Sequence, residues 1–577
     1  MSDRFEAVVI GSGFGGAINA CRLAKKWPGK VVVLERGKRY GLGEFPRSPY
    51  DFARNFWALP DETTPRPKHV RKAIEKTGAE LHGMYDVRNY DHIDVVICAG
   101  VGGGSLIYAN VFLEPPDEVF DDRWPQSCKK TSLAPYYDVA KKVLGSRPVP
   151  IDGDPRRQIR KTELFREAAR AMNRDSQLVD INVFFGNNFD QPLPLGRQEH
   201  NRYGAVQTSC TYCGECICGC NYHAKNTLDL NYLYAAENYH GTEIRIECNA
   251  NAIIPLNESG LKDPQADGSH GYCVEYTDLN RRERRSLLAK RVVVSAGSLG
   301  STEILLRCKH RTGTLPRISS SLGQGFSGNG DFLSFVVEGF DGRPNYGPTI
   351  TQRIDCNLFR NFARDHAFIV EDASYPVFLA WFVEGVRPRW MWLKSISRVL
   401  RDVLTNWTSG KSPGPIGFAF ADLLSGSVSN ESAVLLSMGL DQSNGTMELD
   451  AGGYIKLRWP WRDSRTLYDA MLDAAKGFKH CVNGKIFAAL PTWDWPIRNN
   501  ITVHPLGGCG LADDPARGVT SAERRAFGQV FGYRGLYVAD GAIVPTAVGA
   551  NPTATICALS ELVAEGITQI SPDASLK

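Results

Sequence analysis

The N-terminal segment alternates between short apolar runs and a glycine-rich turn. Phe5–Ile10 predicts a buried strand, Ala17–Lys26 predicts a helix, and Lys30–Leu34 predicts a second strand that ends before Glu35. A strand, a glycine turn, a helix and a second strand in this order predict a βαβ unit. Such a unit is the building block of a doubly wound, Rossmann-type α/β sheet.

The turn reads Gly-Ser-Gly-Phe-Gly-Gly, which is the G-x-G-x-x-G fingerprint of dinucleotide binding. Gly11 allows the tight turn, Gly13 lets the backbone approach a pyrophosphate, and Gly16 lets the helix pack on the strand. The helix N-terminus stabilises the phosphate charge, and Glu35 accepts hydrogen bonds from the ribose hydroxyls. The candidate cofactor residues of this unit are Gly11, Gly13, Phe14, Gly15, Gly16 and Glu35.

Three later segments carry related signals. The glycine run 98–110 allows backbone to lie against a flat ligand, because no Cβ is in the way. Segment 291–300 predicts a strand, a turn and the start of a helix, and segment 535–541 predicts a strand that ends in an acid and a glycine. These pieces must converge on one sheet, so the nucleotide domain is interleaved with another. Their candidate cofactor residues are Gly102, Gly103, Gly104, Ser105, Asn110, Ala296, Gly297, Asp540 and Gly541.

Composition narrows the class of protein. Hydrophobic residues make up 43% of the 577 residues and charged residues 23%, as in globular proteins. A net charge of +4 is too small for a protein that grips nucleic acid electrostatically. The longest apolar runs are shorter than a membrane span, and no signal-peptide core is present. A cytoplasmic enzyme is expected.

Five of the fifteen cysteines lie between positions 210 and 220. They contain the C-x2-C-x2-C-x3-C spacing with which bacterial ferredoxins ligate [4Fe–4S] clusters. The spacing predicts an iron–sulfur cluster, with zinc, a local disulfide or a cysteine-rich turn without ligand as alternatives. The predicted ligands are Cys210, Cys213, Cys216 and Cys220, with Cys218 as an alternative fourth ligand.

The order and spacing of these motifs resemble the glucose-methanol-choline (GMC) flavin oxidoreductases, and the bacterial cholesterol oxidase branch in particular. The resemblance includes the stretch His-Pro-Leu-Gly-Gly-Cys at 504–509, Asp-Gly at 540–541 and Gly-Ala-Asn-Pro at 549–552. It implies FAD as cofactor and a substrate domain built on a mostly antiparallel sheet with helices. A proline found in the family's second signature is missing at 301–303.

With the resemblance, the chain divides into two interleaved domains. The expected FAD-binding domain comprises 1–40, 90–120, 205–310 and 500–577, and it includes the cysteine-rich insert 205–225. The expected α+β substrate domain comprises 41–89, 121–204 and 311–499.

The resemblance also implies the catalytic residues. Oxidation of an alcohol removes a proton from oxygen and a hydride from carbon, and a histidine with a near-neutral pKa can take the proton. His504 matches the family's base or orienting group, and Asn551 matches its partner that holds the oxygen. Glu371 matches the glutamate that serves as a base and supports isomerisation of a steroid double bond.

Segment 390–407 shows apolar positions at helical spacing, with basic residues off that face and tryptophans at its ends. Such a helix packs on the body of the protein or lies on a membrane surface. Peripheral membrane contact through 390–407 is therefore the alternative to ordinary packing.

Together these features predict a dehydrogenase that uses FAD to oxidise a hydrophobic, steroid-like alcohol. The cysteine cluster predicts electron transfer through iron and sulfur to an external acceptor. The alternatives are an oxygen-using sterol oxidase/isomerase, a sugar dehydrogenase, and a flavin/iron–sulfur electron-transfer or photochemical protein that oxidises no alcohol.

Overall fold

A parallel strand pair with a connecting helix forms the centre of the first sheet in the computed structural model. Arg4–Ile10 pairs in parallel with Val31–Leu34 on one side and with Glu283–Val294 on the other. Phe14–Lys26 is the helix between the first two strands. The predicted βαβ unit is thereby confirmed. The structure describes residues 4–59, 81–151, 153–377, 427–489 and 499–577, together with Lys72, Ala380 and Trp493.

The remaining strands of this sheet come from distant parts of the chain. Glu243–Arg245 pairs in parallel with Val31–Leu34, and Leu536–Val538 pairs in parallel with the long strand Glu283–Val294. The first half of that long strand also pairs antiparallel with Tyr272–Asp278. Tyr272–Asp278 in turn pairs antiparallel with Cys248–Pro255, which completes seven strands.

Helices packed on this sheet hold the glycine turn in place. Phe14–Lys26 packs against the C-terminal helix Thr553–Thr568. Across this contact, the guanidinium group of Arg22 lies 2.8 Å from the carboxylate of Glu561, and both side chains are buried. The Tyr232 hydroxyl donates to the same carboxylate at 2.7 Å. A buried charge that is paired on several sides fixes the register between the two helices.

The second large sheet has six strands, and every pair in it is antiparallel. Its strands follow the spatial order Ile486–Ala489, Phe332–Val337, Ser432–Gly439, Phe368–Ala373, Gln352–Cys356 and Ser176–Leu178. Helices Arg160–Ala171 and Arg465–Cys481 pack on it. The combination of a Rossmann-type sheet with a largely antiparallel sheet is the fold class that the sequence predicts.

Smaller elements connect the two sheets. Three-stranded sheets are formed by Gln324–Phe326 with Gly445–Leu449 and Ile455–Arg458, and by Asn500–Thr502 with Ile93–Cys98 and Tyr85–Tyr90. Two-stranded pairs are Gln198–His200 with Val206–Thr208, Leu511–Ala512 with Thr520–Ser521, Trp57–Ala58 with Leu81–His82, and Val111–Phe112 with Asp180–Ile181. Further α-helices among the described residues are Pro49–Arg54, Lys130–Leu144, Tyr232–Asn238, Gly297–Leu306 and Ser427–Asn430.

Candidate active site

His504 lies just after the strand Asn500–Thr502 and is held by a buried aspartate. Its Nδ1 is 2.8 Å from Oδ1 and 3.0 Å from Oδ2 of Asp331. Asp331 also accepts hydrogen bonds from the Thr502 hydroxyl at 2.9 Å and from the Val503 amide at 2.9 Å. Because a carboxylate only accepts hydrogen bonds, Nδ1 carries the proton of the neutral ring. The lone pair is therefore on Nε2, which can act as a base.

Asn551 and Glu371 form the second half of the site. Nδ2 of Asn551 donates to Oε2 of Glu371 at 3.3 Å, and both side chains are buried. Among the described residues, neither Oδ1 of Asn551 nor Oε1 of Glu371 has a hydrogen-bond partner. Two buried polar atoms without partners, on two residues that are hydrogen-bonded to each other, indicate a place where a polar ligand atom binds.

One segment, 327–331, supports both halves. Asp331 at its end orients His504, and Asn329 binds the turn before Asn551. Oδ1 of Asn329 accepts from the amides of Val548 and Gly549 at 2.9 and 3.1 Å, and its Nδ2 donates to the carbonyl of residue 550 at 2.8 Å. The two candidate catalytic side chains are therefore positioned by a single loop.

Glu371 has an unusual environment for a carboxyl group. Burial, together with the neighbouring charges of Asp372 and Asp331, raises its pKa to about 8, although the hydrogen bond from Asn551 opposes this. The two halves of the site are joined by hydrogen bonds through one loop, because Asp331 binds His504 and Asn329 binds the turn before Asn551. All three catalytic residues expected from the sequence are thus in one region. Their catalytic roles remain predictions.

The two glycine runs that were assigned to the cofactor lie against each other. A Cβ added to Gly103 would lie 2.7 Å from the Cα of Gly13. The ring of Phe14 meets the ring of Tyr108 edge-on, with centroids 5.6 Å apart. Gly15 lies so close to strand 536–538 that a Cβ there would be 1.3 Å from the carbonyl oxygen of Ala539. These short distances leave no room for a side chain, which explains why positions 15 and 103 are glycine.

Glu35 is buried and uses both carboxylate oxygens to bind this glycine region. Oε2 accepts from the amide and the hydroxyl of Ser12 at 3.1 and 2.6 Å. Oε1 accepts from the amides of Gly37 and Gly100 at 2.8 and 3.2 Å. The carboxylate therefore joins the first glycine turn to the second run. Its predicted hydrogen bonds to ribose hydroxyls stay a prediction.

Asp540 and its neighbour Gly541 form hydrogen bonds with two other turns, one at 297–301 and one at 507. Its carboxylate accepts from the amide of Gly297 at 2.9 Å and from the Ser301 hydroxyl at 2.5 Å, and burial raises its pKa to about 6. The adjacent carbonyl of Gly541 accepts from the amide of Gly507, at 2.9 Å, in the turn that follows His504. The candidate cofactor turns and the candidate catalytic turn are therefore bonded together.

The residues at these turns fit FAD. Asn110 is fully buried, and neither atom of its amide has a hydrogen-bond partner within the described part of the chain. A Cβ added to Gly104 or Gly297 would meet no atom within 4 Å, so the backbone faces open space. Bare backbone beside an unsatisfied amide suits a flat ring with polar edges. The hydroxyl of Ser105, by contrast, binds the carbonyl of Gly102 at 2.7 Å.

The metal prediction finds no support in the structure. Ligands of one metal ion must converge on a common centre, about 2.3 Å from each sulfur for zinc. Among the described residues, no group of three or more His, Cys, Asp or Glu side chains is arranged to hold a metal ion. The fifteen cysteines are free thiols. The structure therefore gives no support to the predicted metal ligands Cys210, Cys213, Cys216 and Cys220, or to the alternative Cys218.

Two of the predicted ligand sulfurs accept local hydrogen bonds. The sulfur of Cys210 accepts from the amide of Tyr212 at 3.4 Å, and the sulfur of Cys220 accepts from the amide of Ala224 at 3.2 Å. Burial and the neighbouring thiol groups raise the pKa of Cys213 to about 12.

The expected helix at 390–407 lies outside the described residues, so membrane contact through it stays a prediction. In the part of the chain that the structure describes, no helix has both the length and the apolar character that a membrane span requires.

Two site residues were not found from the sequence. Asp331 and Asn329 lie far along the chain from the residues they hold, and neither belongs to a recognised motif. The only local signal is Ser-Gly-Asn-Gly-Asp at 327–331, a polar, glycine-rich turn between apolar strands.

Two models of one protein family match most of the sequence. The two sequence models described as GMC oxidoreductase match residues 8–313 and 441–560. The chain is 28% identical to a cholesterol oxidase of Acinetobacter baumannii over 589 aligned residues, which cover 96% of this chain and 93% of that protein. It is also 28% identical to a cholesterol oxidase of Mycobacterium tuberculosis, covering 98% of this chain and 91% of that protein.

Solved structures show the same fold. A pyridoxine 4-oxidase from Mesorbium loti superposes with a TM-score of 0.59 at 14% identity, covering 97% of this chain and 98% of that chain. A fungal aryl-alcohol oxidase gives a TM-score of 0.59 at 14% identity and covers 99% of both chains. At this identity the likeness establishes the fold alone.

Proposed function

The chain belongs to the GMC oxidoreductase family, and from this premise we propose that it oxidises the hydroxyl group of a hydrophobic, steroid-like alcohol with dioxygen as electron acceptor. As a member of the family it is an FAD-dependent oxidoreductase that acts on CH–OH groups. The similarity to two cholesterol oxidases supports the steroid-like substrate. Dioxygen is supported by the names of the two relatives above, which are both oxidases.

The observation that carries the proposal is that one loop, 327–331, holds both His504 and the turn that carries Asn551. His504 offers a base whose other ring nitrogen is fixed by Asp331. Asn551 and Glu371 offer an unsatisfied amide oxygen and an unsatisfied carboxyl oxygen beside each other. Removal of a proton from a hydroxyl group needs a base and a group that holds the oxygen, and both are present here.

His504, Asp331 and Asn551 each have a separate role in the proposed oxidation. Nε2 of His504 accepts the proton of the substrate hydroxyl, and Asp331 stabilises the imidazolium charge that results. Nδ2 of Asn551 has two N–H groups: one donates to Glu371, and the other holds the substrate oxygen while this proton leaves. FAD, when bound by the glycine turns, supplies the acceptor for the hydride from the carbon. Asp331, Glu371 and Asn551 are buried, and a surrounding of low dielectric constant strengthens their electrostatic interactions.

Glu371 supports a second proton transfer. With a pKa raised to about 8, its carboxyl group can both give and take a proton near neutral pH. Movement of a double bond into conjugation with a newly formed ketone requires removal of a proton from one carbon and its return to another. We assign that isomerisation to Glu371, on a steroid with a suitably placed double bond.

Anaerobic reduction of the bound flavin tests the proposal. The holoenzyme is mixed with a sterol, a long-chain aliphatic alcohol or a sugar, and loss of the oxidised flavin absorbance is followed. We expect the sterol to reduce the flavin fastest. Preferential reduction by the sugar would indicate a sugar dehydrogenase. Failure of every alcohol would favour an electron-transfer or photochemical protein and would contradict the proposal.

A further inference from the structure

Lys225 is a buried lysine between the cysteine-rich segment and the second glycine run. Its Nζ donates hydrogen bonds to the carbonyl oxygens of Leu106 at 3.1 Å, Tyr108 at 2.8 Å and Cys216 at 2.9 Å. The same ammonium group lies 4.7 Å from the centroid of the Tyr108 ring. Two of its three partners belong to run 102–110. The charge therefore lies directly behind the backbone that is expected to contact the flavin.

In the part of the chain that the structure describes, this charge has no carboxylate partner. Carbonyl groups take all three N–H donors of Lys225, and no acidic side chain of the described residues forms an ion pair with it. Three carbonyl acceptors around one nitrogen are the hydrogen-bond partners that an ammonium group requires, since it has three donors and no acceptor. A cation held at such a cost in solvation usually has a partner of opposite charge.

The missing partner is supplied by the chemistry of the cofactor. Reduction of FAD by two electrons with uptake of one proton leaves the ring system one negative charge richer. A fixed cation nearby stabilises that form, and a low-dielectric surrounding increases the effect. We propose that Lys225 raises the reduction potential of bound FAD by holding a positive charge behind run 102–110. The inference rests on the use of FAD and not on the identity of the alcohol.

A purely structural role would have a different signature. If Lys225 only ties the glycine run to Cys216, its loss would weaken FAD binding and lower the melting temperature. It would leave the potential of the FAD that remains bound unchanged. The potential therefore separates the two roles.

The test uses holoenzyme variants that change charge and hydrogen bonding independently. Lys225→Gln removes the charge but keeps an N–H donor, Lys225→Met removes both, and Lys225→Arg keeps both. Lys129→Gln is the matched control, because Lys129 also donates to two carbonyl groups, those of Phe120 and Asp121, at 2.8 Å each. The midpoint potential of bound FAD is measured by equilibration with reference dyes, together with the affinity for sulfite, which adds to oxidised flavin and leaves it negatively charged. Neither measurement requires an alcohol, so failure of the proposed substrate would not affect them.

We expect Lys225→Gln and Lys225→Met to lower the two-electron equilibrium constant about tenfold, which equals about 30 mV, and to weaken sulfite binding. Lys225→Arg and Lys129→Gln should resemble the wild type. A wild-type potential in either neutral variant would overturn the inference. If a neutral variant binds FAD too weakly for this measurement, the ratio of its dissociation constants for oxidised and reduced FAD gives the same quantity: a tenfold change in favour of the oxidised form supports the inference, and a ratio equal to that of the wild type overturns it.

Discussion

Nδ1 of His504 lies 2.8 Å from Oδ1 of Asp331, and the two residues are 173 positions apart in the sequence. Asp331 is buried, and its second oxygen accepts from Thr502 and Val503, which directly precede the histidine. The carboxylate therefore fixes both the backbone before His504 and the orientation of its ring. A fixed tautomer makes Nε2 the only ring nitrogen that can accept the substrate proton.

Asp331→Asn should lower the rate of flavin reduction by alcohol by about 10²–10⁴-fold, the usual range for the loss of acid–base function. An amide can donate to Nδ1 and thereby favour the wrong tautomer. The rate is measured by anaerobic stopped-flow absorbance over a range of pH. Asp365→Asn, at an exposed aspartate, is the control.

A double variant separates positioning from independent catalysis. His504→Ala should lower the same rate by at least about a hundredfold. Asp331→Asn combined with His504→Ala should be no slower than His504→Ala alone, because Asp331 acts through the histidine. Additive effects in the double variant would show that Asp331 acts on the substrate in another way.

Much of the FAD-binding sheet could be predicted because its signals are local. Apolar runs and glycines predicted Phe5–Ile10, and the strand is found at Arg4–Ile10. The helix was expected from Ala17 but begins at Phe14, because tertiary packing outweighs the low helix propensity of the two glycines there. The start of the strand at Glu283 was missed, because its first residues are charged or polar and mostly exposed, although they pair within the sheet.

The site was predictable only where sequence motifs exist. His504 and Asn551 lie in turns with a recognisable sequence, and Glu371 lies on a strand with a shorter match. Asp331 could not be found in this way, because its role depends on a contact between distant segments. The cysteine spacing gave a metal prediction that the described residues do not support, because spacing alone does not determine whether thiol groups converge.

Gly104→Ala should weaken FAD binding at least about tenfold without lowering the melting temperature of the FAD-free protein. A Cβ at this position meets no protein atom within 4 Å, so any obstruction comes from the ligand. Binding is measured by the quenching of FAD fluorescence. Gly510→Ala is the matched control, since its Cβ also meets no atom within 4 Å and it is not a candidate cofactor residue. Equal FAD affinity in both variants would place the cofactor elsewhere.

Glu371→Gln should change how stability depends on pH. The pKa of Glu371 is about 8 in the folded protein, against about 4.3 for an unperturbed glutamate. Between these values the folded state keeps a proton that the unfolded state releases. The stability contributed by the protonated group is therefore present below pH ~4.3 and is lost as pH rises towards about 8, by up to about 1.4 kcal/mol per pH unit.

Relative to the wild type, Glu371→Gln should thus gain stability as pH increases through this window. Urea unfolding of both proteins at several pH values measures the difference, from which the other titrating groups cancel. Glu258→Gln, at an exposed glutamate, should show no such trend. A constant difference between Glu371→Gln and the wild type would mean that Glu371 is ionised in the folded protein at neutral pH.

The fate of the electrons distinguishes an oxidase from the relay that the cysteine spacing predicts. With dioxygen as acceptor, one hydrogen peroxide should form per alcohol oxidised. Cys213→Ser and Cys216→Ser should then leave reoxidation of the reduced flavin by air unchanged, and chelators should not affect turnover. If a relay exists, these substitutions would instead lower the rate at which an external acceptor is reduced and leave flavin reduction by alcohol unchanged.

Iron and acid-labile sulfide are measured on protein prepared without oxygen. Stoichiometric iron together with slow peroxide formation would contradict dioxygen as the acceptor and restore the relay.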